Sequence, residues 1–160
     1  MVPHCAQCLE PWSGWDAWLH SSIAGLDSVL NGSTYGWKEI AVRVSPGVIP
    51  ELKAVSSERQ TPFGVVSFSW SYSGTKFTQE LQLPVGTRAV IHTPHSIAGH
   101  SLQSVVETSG SNTPLWGTGD LSDSEHLRRS VGVLATQNGV NAVEVTVGSG
   151  YYRLESEYGL

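Results

Sequence analysis

A period of two residues runs through the stretch Gly64-Val65-Val66-Ser67-Phe68-Ser69-Trp70-Ser71-Tyr72. One face of this stretch carries the large apolar side chains of Val66, Phe68, Trp70 and Tyr72. Serines occupy the opposite face. Alternation of this kind is typical of a strand that packs one face on a core and leaves the other face polar. The stretch therefore predicts a half-buried β-strand.

Further short strand patterns lie between residues 36 and 158, with no helical pattern between them. They predict strands at residues 38–44, 51–58, 64–72, 76–83, 88–93, 101–108, 131–137, 142–147 and 151–157. Two-residue turn signals at Ser73-Gly74, Asn138-Gly139 and Ser149-Gly150 predict hairpins, and the short links favour antiparallel pairing. We therefore predict a mostly β fold, an antiparallel two-sheet β-sandwich of jelly-roll-like topology.

An amphipathic helix is predicted before the sandwich, at residues 13–26. Its start has the S-x-x-D form of a capping box, and apolar residues follow at helical spacing. Among them, Trp15 and Trp18 are expected in the core. This divides the chain into an N-terminal segment, residues 1–12, and a single domain, residues 13–160. A long polar connection at residues 109–130 is the expected place for a lid or ligand loop.

Composition excludes several classes of partner. The chain has 160 residues and a net charge of -5 without a basic run, which argues against nucleic acid. No apolar stretch reaches the roughly 18 residues of a membrane span, and residues 1–8 lack a secretory signal, so a cytoplasmic location is expected. The two cysteines, Cys5 and Cys8, form no disulfide framework. We assign no metal site and no cofactor.

Several segments, taken in order, resemble the C-terminal β-sandwich of α-L-rhamnosidases, glycoside hydrolase family 78, together with the last helix of the preceding barrel. The similar segments are Trp15-Asp16-Ala17-Trp18-Leu19 with Tyr35-Gly36-Trp37-Lys38-Glu39-Ile40, Ala54-Val55-Ser56-Ser57, Thr61-Pro62-Phe63-Gly64, Leu81-Gln82-Leu83-Pro84-Val85-Gly86-Thr87-Arg88-Ala89-Val90, and Val145-Thr146-Val147-Gly148-Ser149-Gly150. The resemblance implies a sandwich that in the family follows a catalytic α-helical barrel.

The same resemblance implies that the family's inverting hydrolysis uses two carboxyl groups set in that barrel. Neither can be carried over to this chain, which is therefore not expected to be a complete glycoside hydrolase. Where related proteins read C-H-x-W-S, this chain reads Cys8-Leu9-Glu10-Pro11-Trp12-Ser13 and lacks the histidine.

Three residues are candidates for catalysis. Glu10 and Asp16 are two carboxyls near the predicted helix entrance, and inverting glycosidases use a pair about 6.5–9.5 Å apart. A structural explanation is the stronger one for both: Asp16 complements the helix dipole, and Glu10 is simply exposed before Pro11. His92, His95 and His100 could converge across a turn, where three imidazoles can act as a general base or bind zinc. Alternatively, His92 simply alternates with Val90 on a strand face, and His95 and His100 are solvated in a Pro/Gly loop.

Five residues are candidates for ligand binding. Trp12, Trp37 and Trp116 fall at the ends of elements or in loops, where an aromatic face can stack on a sugar or an apolar ligand. Arg43 shares a strand face with Trp37, and a surface salt pair would explain its charge equally well. His95 lies in the loop after the strand that carries His92.

Three functions follow as hypotheses. The first is a β-sandwich without the catalytic barrel that binds a carbohydrate or other small molecule. The second is a repurposed cofactor-free enzyme, a cyclase, isomerase or lyase, that acts on a hydrophobic natural product. The third is a domain that docks on a protein partner, or forms a homodimer through its N-terminal helix, because an exposed apolar face usually finds a partner.

Overall fold

The computed structural model describes residues 18–29, 36–47, 49–110, 112–117 and 132–160. In these ranges the chain forms two β-sheets packed face to face, which confirms the predicted mostly β sandwich. The strands are β1 (Leu26–Ser28), β2 (Glu39–Arg43), β3 (Ala54–Thr61), β4 (Gly64–Ser73), β5 (Lys76–Leu83), β6 (Arg88–Pro94), β7 (Ser96–Ile97), β8 (His100–Glu107), β9 (Thr113–Gly117), β10 (Val133–Asn138), β11 (Ala142–Val147) and β12 (Gly150–Gly159).

The five-stranded sheet has the order β1-β2-β6-β11-β10, and the seven-stranded sheet has the order β3-β4-β5-β12-β8-β7. Strand β9 also pairs with β8. Neighbouring strands are antiparallel except β2 and β6, which are parallel. The prediction of antiparallel pairing is wrong for this pair, because the intervening strands β3, β4 and β5 belong to the other sheet.

The core lies between the sheets and follows the predicted alternation. In β4, Val66, Phe68, Trp70 and Tyr72 are buried. In β11, the three valines at positions 143, 145 and 147 are buried and the residues between them are half-buried. Each sheet therefore contributes one apolar face, the usual arrangement of a sandwich.

The predicted hairpin at Ser149-Gly150 does not form. Strand β11 pairs with β6 and β10, and β12 pairs with β5 and β8, so neither strand has an edge left for the other. The short link instead carries the chain from one sheet to the other.

The described part of the predicted helix is short. Leu19–Ala24 forms a π-helical segment, and Gly25, at φ 81°, ends it before β1. Leu26 fits the helical spacing but is buried as a strand residue. The expected core position of Trp18 is wrong, since 47% of its surface is exposed.

Part of the predicted loop at residues 109–130 is a strand. Thr113 and Leu115 of β9 are buried in alternation, and the strand extends the edge of β8. Most of the remaining loop lies outside the described residues. In the described ranges, no helix is long and apolar enough to cross a membrane.

Candidate functional site

A row of polar side chains crosses the outer face of the five-stranded sheet. Arg43 on β2 lies opposite His92 on β6, which lies opposite Glu144 on β11. Their chain neighbours Val42, Ile91 and Val143 are buried in the core. Because successive side chains of a strand point to opposite faces, the row faces away from the core. Register alone thus places a guanidinium, an imidazole and a carboxylate side by side.

These three residues, with Glu39 and Arg88, line a depression of about 220 Å³ that we call the outer groove. Glu39 and Arg88 lie opposite each other and form an ion pair. Arg43 is exposed and makes no ion pair with another described residue. Besides His92, the groove therefore contains two acidic and two basic side chains. Of the two basic ones, Arg88 is paired with Glu39, and Arg43 has no ion pair with a described residue.

His92 is the most enclosed member of the row, with 16% of its side chain exposed. Its Nδ1 lies 3.5 Å from Glu144 Oε1. Its Nε2 is buried and has no hydrogen-bond partner among the residues that the structure describes. A buried polar atom without a partner is costly in free energy and marks a place where a ligand group can supply the missing hydrogen bond.

Burial lowers the pKa of His92 below its ordinary value, and the nearby positive charge of Arg43 lowers the pKa further. Glu144 opposes both effects. Since burial disfavours the charged form of histidine, the ring is neutral at neutral pH. A neutral imidazole can accept one hydrogen bond and donate another.

Glu144 is itself held in place. Its Oε2 accepts a hydrogen bond from Gln137 Nε2 at 2.5 Å, across the β10–β11 pair. The groove thus contains a chain of contacts from Gln137 through Glu144 to His92. A carboxylate fixed in this way can hold an imidazole in one orientation.

The other predicted ligand residues lie in separate contacts. Trp37 packs against the core, and the Arg59 guanidinium carbon lies 4.7 Å from its ring centroid, a cation–π contact. His95 and Trp116 do come together, with ring centroids 5.9 Å apart, and His95 Nε2 lies 3.0 Å from the Gly139 carbonyl oxygen.

Three predicted site residues, Glu10, Trp12 and Asp16, lie outside the described residues. Within the described ranges, no group of three or more His, Cys, Asp or Glu side chains is placed to hold a metal ion. The suggested convergence of His92, His95 and His100 is therefore not found there.

A second depression, of about 210 Å³, lies between the π-helical segment and the β2–β3 connection. We call it the apolar cleft; its lining includes Trp18, Ile23, Ile49, Leu52 and Trp70. Trp18 and Ile49 are at the same time exposed, so part of this lining faces solvent.

Sequence reasoning missed Glu144 and Gln137. The valine alternation of β11 already placed Glu144 on the outer face. Its position beside His92, however, depends on which strand β11 pairs with, and no local pattern carries that information.

Comparison with protein families confirms the resemblance suggested by the sequence. Residues 28–106, just under half of the chain, match the model of the bacterial alpha-L-rhamnosidase C-terminal domain. The sandwich is thus similar to that domain. Comparison with curated proteins by sequence gives no match.

Solved structures support the same fold. The alpha-L-rhamnosidase from Dictyoglumus thermophilum matches with a TM-score of 0.63 and 20% identity, over 91% of this chain and 14% of that one. The Streptomyces avermitilis alpha-L-rhamnosidase complexed with L-rhamnose matches with a TM-score of 0.58 and 18% identity, over 86% of this chain and 10% of that one. The chain therefore spans a small part of the length of these enzymes, and the likeness concerns the fold.

Proposed function

We propose that this chain is a rhamnosidase C-terminal-type β-sandwich that binds a carbohydrate or other small polar molecule without transforming it. The observation that supports this proposal is the row in the outer groove, where His92 Nε2 has no partner and Arg43 has no ion pair with another described residue. Arg43 is exposed to a ligand, and His92 lines the same groove above a core that is closed by apolar packing.

The chemistry of the row suits a sugar. Hydroxyl groups both donate and accept hydrogen bonds, and the row presents a donor, a neutral imidazole and a carboxylate in sequence. Both carboxylates of the groove are already engaged, Glu39 by Arg88 and Glu144 by Gln137. Engaged carboxylates favour a role in orienting neighbours over a role in proton transfer.

Isothermal titration calorimetry with L-rhamnose and related neutral sugars tests this proposal. Saturable binding that weakens in Arg43→Ala, with no product found by chromatography, would support it. Lys76→Ala is the matched control, because Lys76 is also an exposed cation but pairs with Glu155 on the other sheet. Binding that is equally weakened by both variants, or a sugar that is converted, would contradict it.

The apolar cleft favours a second candidate, a domain that docks on a protein partner. Trp18 and Ile49, which line the cleft, are 47% and 40% exposed, and Leu19, next to Trp18 in the chain, is 50% exposed. Scattered exposed apolar residues are ordinary, but a contiguous group usually marks an interaction site. Homodimerisation through the π-helical segment would cover the same residues.

Light scattering coupled to size-exclusion chromatography distinguishes these arrangements. A dimer that dissociates in Leu19→Glu would support self-association, whereas a monomer would exclude it.

The cleft also offers room for an apolar substrate, as the repurposed-enzyme hypothesis requires. Incubation with apolar polycyclic or polyene compounds, followed by mass spectrometry, tests that hypothesis: a new product would support it over both binding proposals.

A further inference from the structure

The unpartnered nitrogen of His92 restricts which ligand the outer groove can take. We infer that the groove selects an uncharged polyhydroxyl ligand and holds it through a hydroxyl that donates to His92 Nε2 and lies within reach of the Arg43 guanidinium. This inference rests on the proposed function, which states only that the groove binds a small polar molecule.

The first step concerns the tautomer of His92. Nδ1 lies 3.5 Å from the carboxylate oxygen Oε1 of Glu144. An ionised carboxylate only accepts hydrogen bonds, so it favours the tautomer with the proton on Nδ1. Gln137 holds Glu144 in the orientation that imposes this choice. The lone pair of the neutral ring then lies on Nε2.

The second step concerns the group that Nε2 requires. An acceptor lone pair needs a donor, and the described part of the chain offers none to Nε2. Carboxylate and ketone oxygens cannot donate, and neither can the unprotonated oxygens of a phosphate. A ligand ammonium can donate, but it would lie next to the positive charge of Arg43. A hydroxyl donates without carrying a charge, and it is therefore the group that fits best.

The third step concerns Arg43. Its guanidinium is a donor only, and it is the neighbour of His92 in the parallel β2–β6 pair. Adjacent strands lie about 4.8 Å apart, a span that one hydroxyl oxygen or two neighbouring hydroxyls of a sugar can bridge. Nε2 is buried, so a side chain around it has to move before a ligand hydroxyl can reach it, and exposed Arg43 is the neighbour with room to do so.

The charges of the groove do not favour an anion. Arg43 and Arg88 are balanced by Glu39 and Glu144, and exposed Asp27 on β1 adds a further negative charge on this sheet. The charged oxygen of an anion could pair with Arg43, but it would offer no donor to His92 Nε2, and its charge would lie near that of Glu144. Neutral ligands avoid both penalties.

Protonation of His92 should reverse the preference. A protonated ring has donors on both nitrogens, so Nε2 can no longer accept from a hydroxyl. The charged groups that face the ring are Arg43 and Glu39 on β2, Arg88 on β6 and Glu144 on β11. With the ring charged, the groove gains a positive charge beside Arg43. Neutral sugars should then bind more weakly, and anions more strongly.

The test has two readouts on the intact chain. Nitrogen-15 NMR of the His92 ring reports the tautomer in the absence of any ligand, and the proton is expected on Nδ1. Titration calorimetry then compares L-rhamnose and myo-inositol with glucuronate and inorganic phosphate, at about pH 7.5 and about pH 5. Neutral polyols are expected to bind more tightly at about pH 7.5 than at about pH 5. At the higher pH, the anions are expected to bind only weakly.

Two variants locate the effect. His92→Phe removes the acceptor and should weaken polyol binding about tenfold, the equivalent of one hydrogen bond. Glu144→Gln can turn its amide N–H₂ toward Nδ1, which favours the opposite tautomer, and should shift the ring proton to Nε2 and weaken binding similarly. Glu144→Gln therefore tests the inference even if His92→Phe does not fold. Lys76→Ala should change neither readout.

The outcomes separate this inference from the function on which it rests. A proton on Nε2 in the unmodified chain, or tighter binding of glucuronate than of rhamnose at the higher pH, would overturn the inference but leave a binding module. Sugar binding that does not perturb the His92 resonances would also overturn it. If none of the four ligands bound detectably, the proposed function would be overturned as well.

Discussion

Thr93 and Gln79 join the two sheets by a hydrogen bond in the middle of the core. The Thr93 hydroxyl on β6 donates to Gln79 Oε1 on β5 at 2.8 Å, and both residues are buried. Gln79 Nε2 donates in turn to the backbone carbonyl oxygen of His92 at 3.3 Å. The same buried amide thus fixes the backbone of the strand that carries the outer groove.

Thr93→Val should destabilise the fold by about 1–3 kcal/mol, because it leaves Gln79 Oε1 buried without a donor. Gln79→Leu should have a cost of similar size. The double variant should lose less than the sum of the two, since neither partner is then left alone. Urea unfolding followed by circular dichroism gives the three free energies, and strict additivity would show that the contact contributes nothing.

Ser156→Ala should raise the free energy of unfolding by about 1 kcal/mol. Ser156 is fully buried, and its Oγ has no hydrogen-bond partner within the described ranges, so the hydroxyl carries an uncompensated desolvation cost. Ser57→Ala is the matched comparison: Ser57 is also buried, but its Oγ lies 2.5 Å from His20 Nδ1. That variant should be destabilised. Equal effects in the two unfolding curves would contradict the argument.

Gly25→Ala should destabilise the chain by more than about 2 kcal/mol. Gly25 has φ +81°, and a Cβ there would come within 2.3 Å of the Arg43 carbonyl oxygen. The comparison is Gly74→Ala, at φ +63° in the β4–β5 turn, where a Cβ would meet no atom of a described residue within 4 Å. It should lose only the left-handed conformational cost of about 1 kcal/mol. Thermal or urea unfolding of both variants measures the difference.

Local patterns were sufficient for most of the sandwich. Strands β5 and β11 have the predicted bounds: β11 has a valine at every second position, and in β5 only the buried Gln79 interrupts the alternation of apolar and polar residues. Strands β1, β7 and β9 were missed, since three or fewer of their residues are buried and flanking glycines or prolines resemble loops. They are strands because they pair with a longer strand: β1 with β2, and β7 and β9 with β8.

Pairing could not be predicted from the sequence, and the candidate site depends on it. Arg43 and His92 were both named as candidates, yet their adjacency arises from a parallel pair that the short links argued against. The chain crosses between sheets four residues after the Glu144–His92 row is complete, at Gly148-Ser149, where the sequence suggests a hairpin. Long-range competition for strand edges decides both features.

The stability of the fold should fall in mild acid, in part because of His92. Burial and Arg43 lower the pKa of His92 in the folded chain below the ordinary value of 6.5. The unfolded chain therefore binds the proton more readily. The contribution of this neutral ring is fully present above about pH 6.5 and is lost as the pH falls through the lower folded pKa. His92→Gln cannot take up the proton, so its unfolding free energy should depend less steeply on pH below about 6.5. Urea unfolding of both chains across this range measures the two slopes. Parallel curves would mean that His92 has the same pKa folded and unfolded, which would remove the argument that the groove keeps its imidazole neutral.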